Sequence, residues 1–319
     1  MKKFLIISSI IAPTILCCSC NNTFEPNAPL RVRYVLNGII RSDTSLQVVT
    51  VSKSYEPNDG YNPMTSTQDP AVIGARISLL YKDSIYTMRD TVIARIDTSR
   101  YKDSVHCYYI RNLQPQDGEY VDISALMPNG FLLQASTELP YPDPFNFFSI
   151  NSDKSVPPAD PNKHYVSVIW KALPNTVYSP RVYIEYYVKN SSVKKEWPVP
   201  LYYDTENGIK EPVYTHPSKS NGIYISMESI TEALNEIPQG DYKKNYSIAS
   251  FNLEITIYDA YLSTYYLSMQ RELGAYTVLL DSPDYSDIQG GYGIFGSYSI
   301  INYRLRFSYV YLSSLGYYY

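Results

Sequence analysis

Three cysteines fall within four positions near the start of the chain: Cys17, Cys18 and Cys20, in the stretch ILCCSCNN. Clustered thiols can hold a metal, exchange a disulfide or accept a lipid, and their neighbours decide among these. Met1-Lys2-Lys3 is basic, and residues 4–16 are an apolar run too short for a stable bilayer anchor. That order describes an export signal, residues 1–19. Ser19-Cys20 has the pattern of a bacterial lipobox, a small residue followed by the cysteine that takes the lipid. Cys20 is therefore expected as the first residue of the mature chain, carrying a covalent lipid. Choosing Cys17 or Cys18 would put Leu16 or Cys17 at the cleavage position, where a small residue is preferred. A metal or redox site would need partners elsewhere, and the only other cysteine is Cys107. No disulfide framework is then expected, so the core must hold by burial.

Other constellations are weaker. His106, His164 and His216 show no metal-ligand spacing, and no Gly-x-Ser-x-Gly elbow occurs. His106 and Cys107 are neighbours on a strand-like run, so they point to opposite faces, and Cys107 is expected to be a buried, inert thiol. Asp284 with Asp287, or Asp153 with Asp160, could offer oxygens to calcium, but no twelve-residue loop supports them. Gly291, Gly293 and Gly296 spell Gly-x-Gly-x-x-Gly. A dinucleotide site needs a strand before and a helix after that pattern; here a strand follows. The expectation is a tight turn built on Gly290, Gly291, Gly293 and Gly296, with Phe295 as a buried plug. The composition has 35 Tyr against 9 Phe and 2 Trp. Most of these tyrosines suit sheet surfaces, yet the strand pairs Tyr186-Tyr187 and Tyr202-Tyr203 should each turn one ring outward, toward a sugar or a protein partner. Tyr265-Tyr266 is a third pair, on a helical run.

The elements that must position these residues read as strands. RVRYVLNGII (31–40), SLQVVTVSKS (45–54), AVIGARISLLY (71–81), two runs within 83–101, and a hairpin around Pro128-Asn129-Gly130 recur with turn signals between them. Residues 20–29 form a tether and 30–137 a first β-sandwich. Residues 138–146, with three alternate prolines, form a linker. Residues 147–319 form a larger β-rich domain in which Val182, Ile184, Tyr186 and Val188 share a face. Residues 301–312 there read as one alternating strand, with Tyr303, Leu305, Phe307, Tyr309 and Tyr311 on one side. Two short helices interrupt it: SITEALNEIPQG, with Ser229 and Glu232 as a capping box and Pro238 as its stop, and residues 259–274, ending at Gly274. The fold class is all-β: two β-sandwich-like domains, the first immunoglobulin-like. The formal charge of −4 falls to −6 once Lys2 and Lys3 leave with the signal, and with no basic run nucleic acid is not an expected partner.

Several of these stretches together resemble a family: outer-membrane lipoproteins of Bacteroidetes-type bacteria known as domain of unknown function 4249. VLNGII (35–40), VVTVSKSY (48–55) and IGARISLL (73–80) are similar to its early strands, the last in a pattern common in carboxypeptidase-regulatory-type sandwiches. Residues 265–299 are similar to its C-terminal helix, a Ser-Pro turn and an Asn-Ile-x-Gly-Gly-x-Gly-x-Phe-Gly motif, with Asp287 in place of the Asn. The resemblance implies a non-enzymatic accessory of a TonB-dependent transport system, held at the outer membrane by its lipid and needing no other cofactor. Surface glycan binding and hydrolysis at an unrecognised carboxylate site are the alternatives. One acid, Glu25, follows the cysteine where surface lipoproteins of these bacteria carry an acidic run, so surface-facing and periplasm-facing orientations both stay open.

Overall fold

A computed structural model describes residues 32–54, 69–96, 98–99, 101, 104–206, 209–269 and 285–317. The export signal, Cys20, the tether, the turn at 55–63, Gly274 and Asp284 lie outside the described residues. The chain is mostly β and sandwich-like, with three short α-helices among the described residues. No helix among the described residues is long and apolar enough to cross a membrane.

The strands in chain order are β1 (Tyr34–Arg41), β2 (Gln47–Lys53), β3 (Arg76–Tyr81), β4 (Ser84–Thr87), β5 (Arg89–Ile93), β6 (Val105–Ile110), β7 (Tyr120–Leu126), β8 (Leu132–Glu138), β9 (Ser155–Val156), β10 (Tyr165–Ile169), β11 (Tyr178–Val188), β12 (Lys194–Pro198), β13 (Tyr202–Glu206), β14 (Ile209–Val213), β15 (Gly222–Ser226), β16 (Tyr246–Tyr258) and β17 (Tyr292–Phe307). The helices are α1 (Met227–Glu236), α2 (Ala260–Met269) and α3 (Tyr309–Ser314).

One sheet runs through both halves of the chain, in the order β12-β11-β16-β17-β1-β2-β6-β5, with β9 added beside β17. Its centre is the long β17. The first part of β17 pairs in parallel with β1, from Val35 opposite Tyr292 to Arg41 opposite Tyr298. The second part pairs antiparallel with β16, from Tyr258 opposite Tyr298 to Phe251 opposite Leu305. The handover falls on Tyr298, whose ring lies under the Arg41 guanidinium at 5.5 Å.

In the first lobe, β17-β1-β2-β6-β5 faces a four-stranded sheet, β4-β3-β7-β8. Alternation decides which side chains go inward: Val49 and Val51 of β2, Ile77 and Leu79 of β3, and Val121, Ile123 and Ala125 of β7 are all buried in one core. Ile288 and Phe295 enter the same core from far along the chain. In the second lobe, Val182, Ile184 and Tyr186 of β11 and Phe251, Leu253 and Ile255 of β16 pack under the β10–β15 ribbon and α1. Glu138 ends β8 and Leu139 lies in the first core, while Phe147 lies in the second, so the chain passes from one core to the other within 140–146. The cores are nevertheless not cut at a single chain position, because residues 288–298 return to complete the first lobe.

Two local expectations are corrected. The N-cap of α1 is Ser226, whose hydroxyl accepts from Ser229 N at 3.0 Å, not Ser229; the sequence-level capping box starts one turn late. The alternating run 301–312 ends as a strand at Phe307, and Tyr309–Ser314 is helical. Ser308 stands at the helix entrance and Leu312 turns inward, while Tyr311 stacks on Phe307 and its hydroxyl meets Thr231 Oγ1 at 2.9 Å. Tyr309 is left exposed, so the five residues do not share a face.

Candidate functional site: a groove at the seam of the lobes

Asp259 sits between β16 and α2 and ties three elements together. Its Oδ1 accepts from Leu262 N at 2.7 Å, capping α2, and its Oδ2 accepts from Ser297 N at 3.0 Å and from the Thr137 hydroxyl. Burial pushes this carboxyl up, and the hydrogen bonds from Thr137, Leu262 and Ser297 oppose the shift. Asp287 accepts from Phe295 N at 3.0 Å. Burial pushes it up to about 6; the Phe295 amide works against the rise, and the charge of Asp259 adds to it.

The glycine motif makes this junction close. Gly293 has φ +112, and a Cβ there would run into Leu36 O; a Cβ on Gly296 would run into the Leu262 side chain. Gly290 and Gly291 lie against Leu132 and Leu133 of β8 in the same way. Phe295 is fully buried. The expected turn is corrected: only Gly290-Gly291 make one, while Gly293 and Gly296 lie in β17, whose Phe295 and Ile294 amides are taken by Asp287 and Asn37 inside the protein rather than by a phosphate.

What the junction positions is a groove on the outer face of β3, β7 and β8. Register places Ser78 opposite Ser124 and Ser124 opposite Gln134; the next rung is Leu80, Asp122 and Ser136. These polar side chains, together with the exposed Leu80 and Ile85, floor a groove of about 600 Å³, with Tyr261 of α2, Asp287 and Gln289 as its wall. A second groove of about 490 Å³ shares Ser136 and Tyr261 and continues past Tyr120, Glu138 and Tyr141 to Leu173, Pro174 and Thr176 of the other lobe. The Tyr120 hydroxyl donates to Glu138 Oε2 at 2.7 Å. No Lys, Arg or His lines either part among the described residues. Within the same residues, the side chains of Ser78, Asp122, Ser124, Gln134 and Ser136 have no hydrogen-bond or ion-pair partner.

The residues singled out from sequence lie elsewhere. Tyr186 is buried in the second core, its ring 6.1 Å from that of Tyr246, so it is not available to a ligand; it continues the inward face of Val182 and Ile184. Tyr187 is half-buried. Tyr202 is exposed, and Tyr203 lies half-buried under the Lys210 ammonium at 4.4 Å, its hydroxyl pushed up to about 12 by burial and by Glu232. None of these four lines the groove. Cys107 is buried, and burial pushes its thiol up. Asp153 accepts from Ser167 N at 2.7 Å and pairs with Lys163 at 3.2 Å rather than gathering with Asp160. No cluster of three or more His, Cys, Asp or Glu that could hold a metal occurs among the described residues.

Sequence reasoning missed Tyr120, Tyr141, Tyr261 and the serine floor. A signal was present: YVDISAL and LLQASTE place Asp122, Ser124, Gln134 and Ser136 on the faces opposite Val121, Ile123 and Leu133. No family model matches this chain, and no curated protein matches it.

Proposed function

We propose that this protein is a lipid-anchored binding module of the bacterial outer membrane, tethered through Cys20, which works beside a TonB-dependent transporter and captures cargo rather than transforming it. The observation that carries the reading is the groove itself. Both lobes line it, β17 locks those lobes together, and its floor offers polar side chains without partners among the described residues. The buried carboxylate of Asp259 is committed to the fold by backbone and hydroxyl donors.

The test is recovery of the tagged full-length protein from solubilised outer membranes. Co-purification of a transporter supports the module; recovery without any outer-membrane partner counts against it. Mass spectrometry of the mature N-terminus checks the tether: a lipid on Cys20 is expected, and a Cys20→Ala protein that stays processed and membrane-bound as before contradicts it.

A carboxylate hydrolase is the competing reading, favoured by Asp287, which lines the groove with its carboxyl pushed up to about 6. Release of new reducing ends from an oligosaccharide, abolished by Asp287→Asn, would replace capture with catalysis.

A further inference from the structure

We infer that the groove is a site for a neutral oligosaccharide, laid across β3, β7 and β8 with Tyr261 as the stacking platform near its middle; this rests on the binding-module reading and names its ligand. Three observations converge. The floor sets hydroxyl, carboxamide and carboxylate groups, from Ser124, Gln134, Ser136 and Asp122, beside the exposed apolar Leu80 and Ile85; the polar groups match the paired donor and acceptor character of sugar hydroxyls, and the apolar ones suit the C–H face of a sugar ring. Tyr261 borders both parts of the groove and keeps 39% of its surface exposed, and Tyr120 and Tyr141 stand exposed in the second part. Aromatic rings at such positions can stack on the apolar face of a sugar ring. The lining contains carboxylates and, among the described residues, no cation, so it offers nothing to neutralise a uronate, a sulfate or a phosphate.

The geometry also separates a glycan from an extended peptide. A peptide gains affinity by pairing with a free sheet edge. Here the edge of β8 is taken at Gln134, whose amide donates to Gln289 O at 3.1 Å while Gln289 N donates back at 2.8 Å. The groove instead crosses the strands on their outer face, where side chains make the contacts. It spans about 10 Å from β3 to β8 before it continues between the lobes.

The experiment is calorimetric titration of the detergent-solubilised full-length protein with maltohexaose, xylohexaose, mannohexaose and chitohexaose, each against wild type, Tyr261→Ala and Asp122→Asn. At least one hexasaccharide is expected to bind, with Tyr261→Ala weakening it about tenfold and Asp122→Asn weakening it by a smaller factor. Both substitutions lie on exposed side chains, and unchanged thermal melting of each variant shows that the loss is local. No binding of any of the four at millimolar concentration overturns the inference, as does equal binding by wild type and both variants. If no sugar binds while the transporter still co-purifies, the sugar site fails and the module stands; if neither binds, both fail.

Discussion

The two lobes present outer sheet faces of opposite character. On the second lobe the face of β11, β16 and β17 closes on itself. The buried carboxylate of Glu185 accepts from Lys194 Nζ at 2.6 Å, Arg304 Nη2 at 2.5 Å and Ser250 Oγ at 3.0 Å. Arg181 beside it reaches Glu196 at 2.5 Å and Glu254 at 3.8 Å. On the first lobe the face of β3, β7 and β8 carries serines, a glutamine and Asp122, with no ion pair among them within the described residues. Cross-strand charge ladders satisfy a sheet surface from within. A face without them leaves its hydrogen-bonding capacity to water or to a ligand, and that difference singles out the groove.

The largest effect tests the scaffold that both faces share. Phe295→Ala removes a fully buried ring that the handover strand β17 sends into the first core, and a loss of about 3–5 kcal/mol is expected in urea denaturation. A loss under 1 kcal/mol would mean that the glycine motif does not pin the lobes together.

Next comes the contrast between faces. Glu185→Ala should cost about 2 kcal/mol, because three charge-assisted or hydroxyl hydrogen bonds end on that carboxylate. Asp122→Ala should stay within about 0.5 kcal/mol. Equal costs would erase the distinction between a closed and an open face.

The pH dependence of stability should differ in sign between the two carboxylates. Burial pushes Glu185 up, but its bonds to Lys194, Arg304 and Ser250 outweigh burial, so it titrates below its ordinary value. Its stabilising contribution is present above about 4.3 and is lost as the pH falls further. Asp287 titrates at about 6 in the folded chain and near 3.9 when unfolded. The folded state therefore holds more protons in that interval, and this group's contribution is greatest below about 3.9 and is lost as the pH rises through about 6. Asp287→Asn keeps an oxygen for Phe295 N and should raise stability at pH 7 by about 1 kcal/mol after solvent screening, flattening the slope between about pH 4 and 6. An unchanged slope in melts across that range would remove Asp287 as its source.

Much of the fold was legible because alternation is local: Val49 and Val51, Ile77 and Leu79, and Val182 and Ile184 can each be assigned inward from their own neighbours. The glycine motif was legible in part: Gly293 and Phe295 announce a tight approach and a plug, but Gly293 and Gly296 continue a strand where a turn was expected, because their parallel partner β1 is set by distant residues. The parallel pairing of β1 with β17 was not, because it joins residues more than 250 positions apart and no local pattern encodes it. The groove was hidden for the same reason. Ser78, Ser124 and Gln134 become one rung only once register is set. The tyrosine pairs pointed elsewhere: alternation with Val182 and Ile184 already set Tyr186 inward, and its half-buried neighbour Tyr187 faces no groove. The misread end of β17 shows the limit of alternation: Tyr309 and Tyr311 continue its period while the backbone has already turned into α3.

The most direct test of the account is hydrogen–deuterium exchange of the full-length protein with and without whichever of the four neutral hexasaccharides binds it. New protection is expected in β3, β7, β8 and the start of α2, with β11 and β16 unchanged. Protection on the Glu185 face, or none at Tyr261 and Asp122, would contradict it.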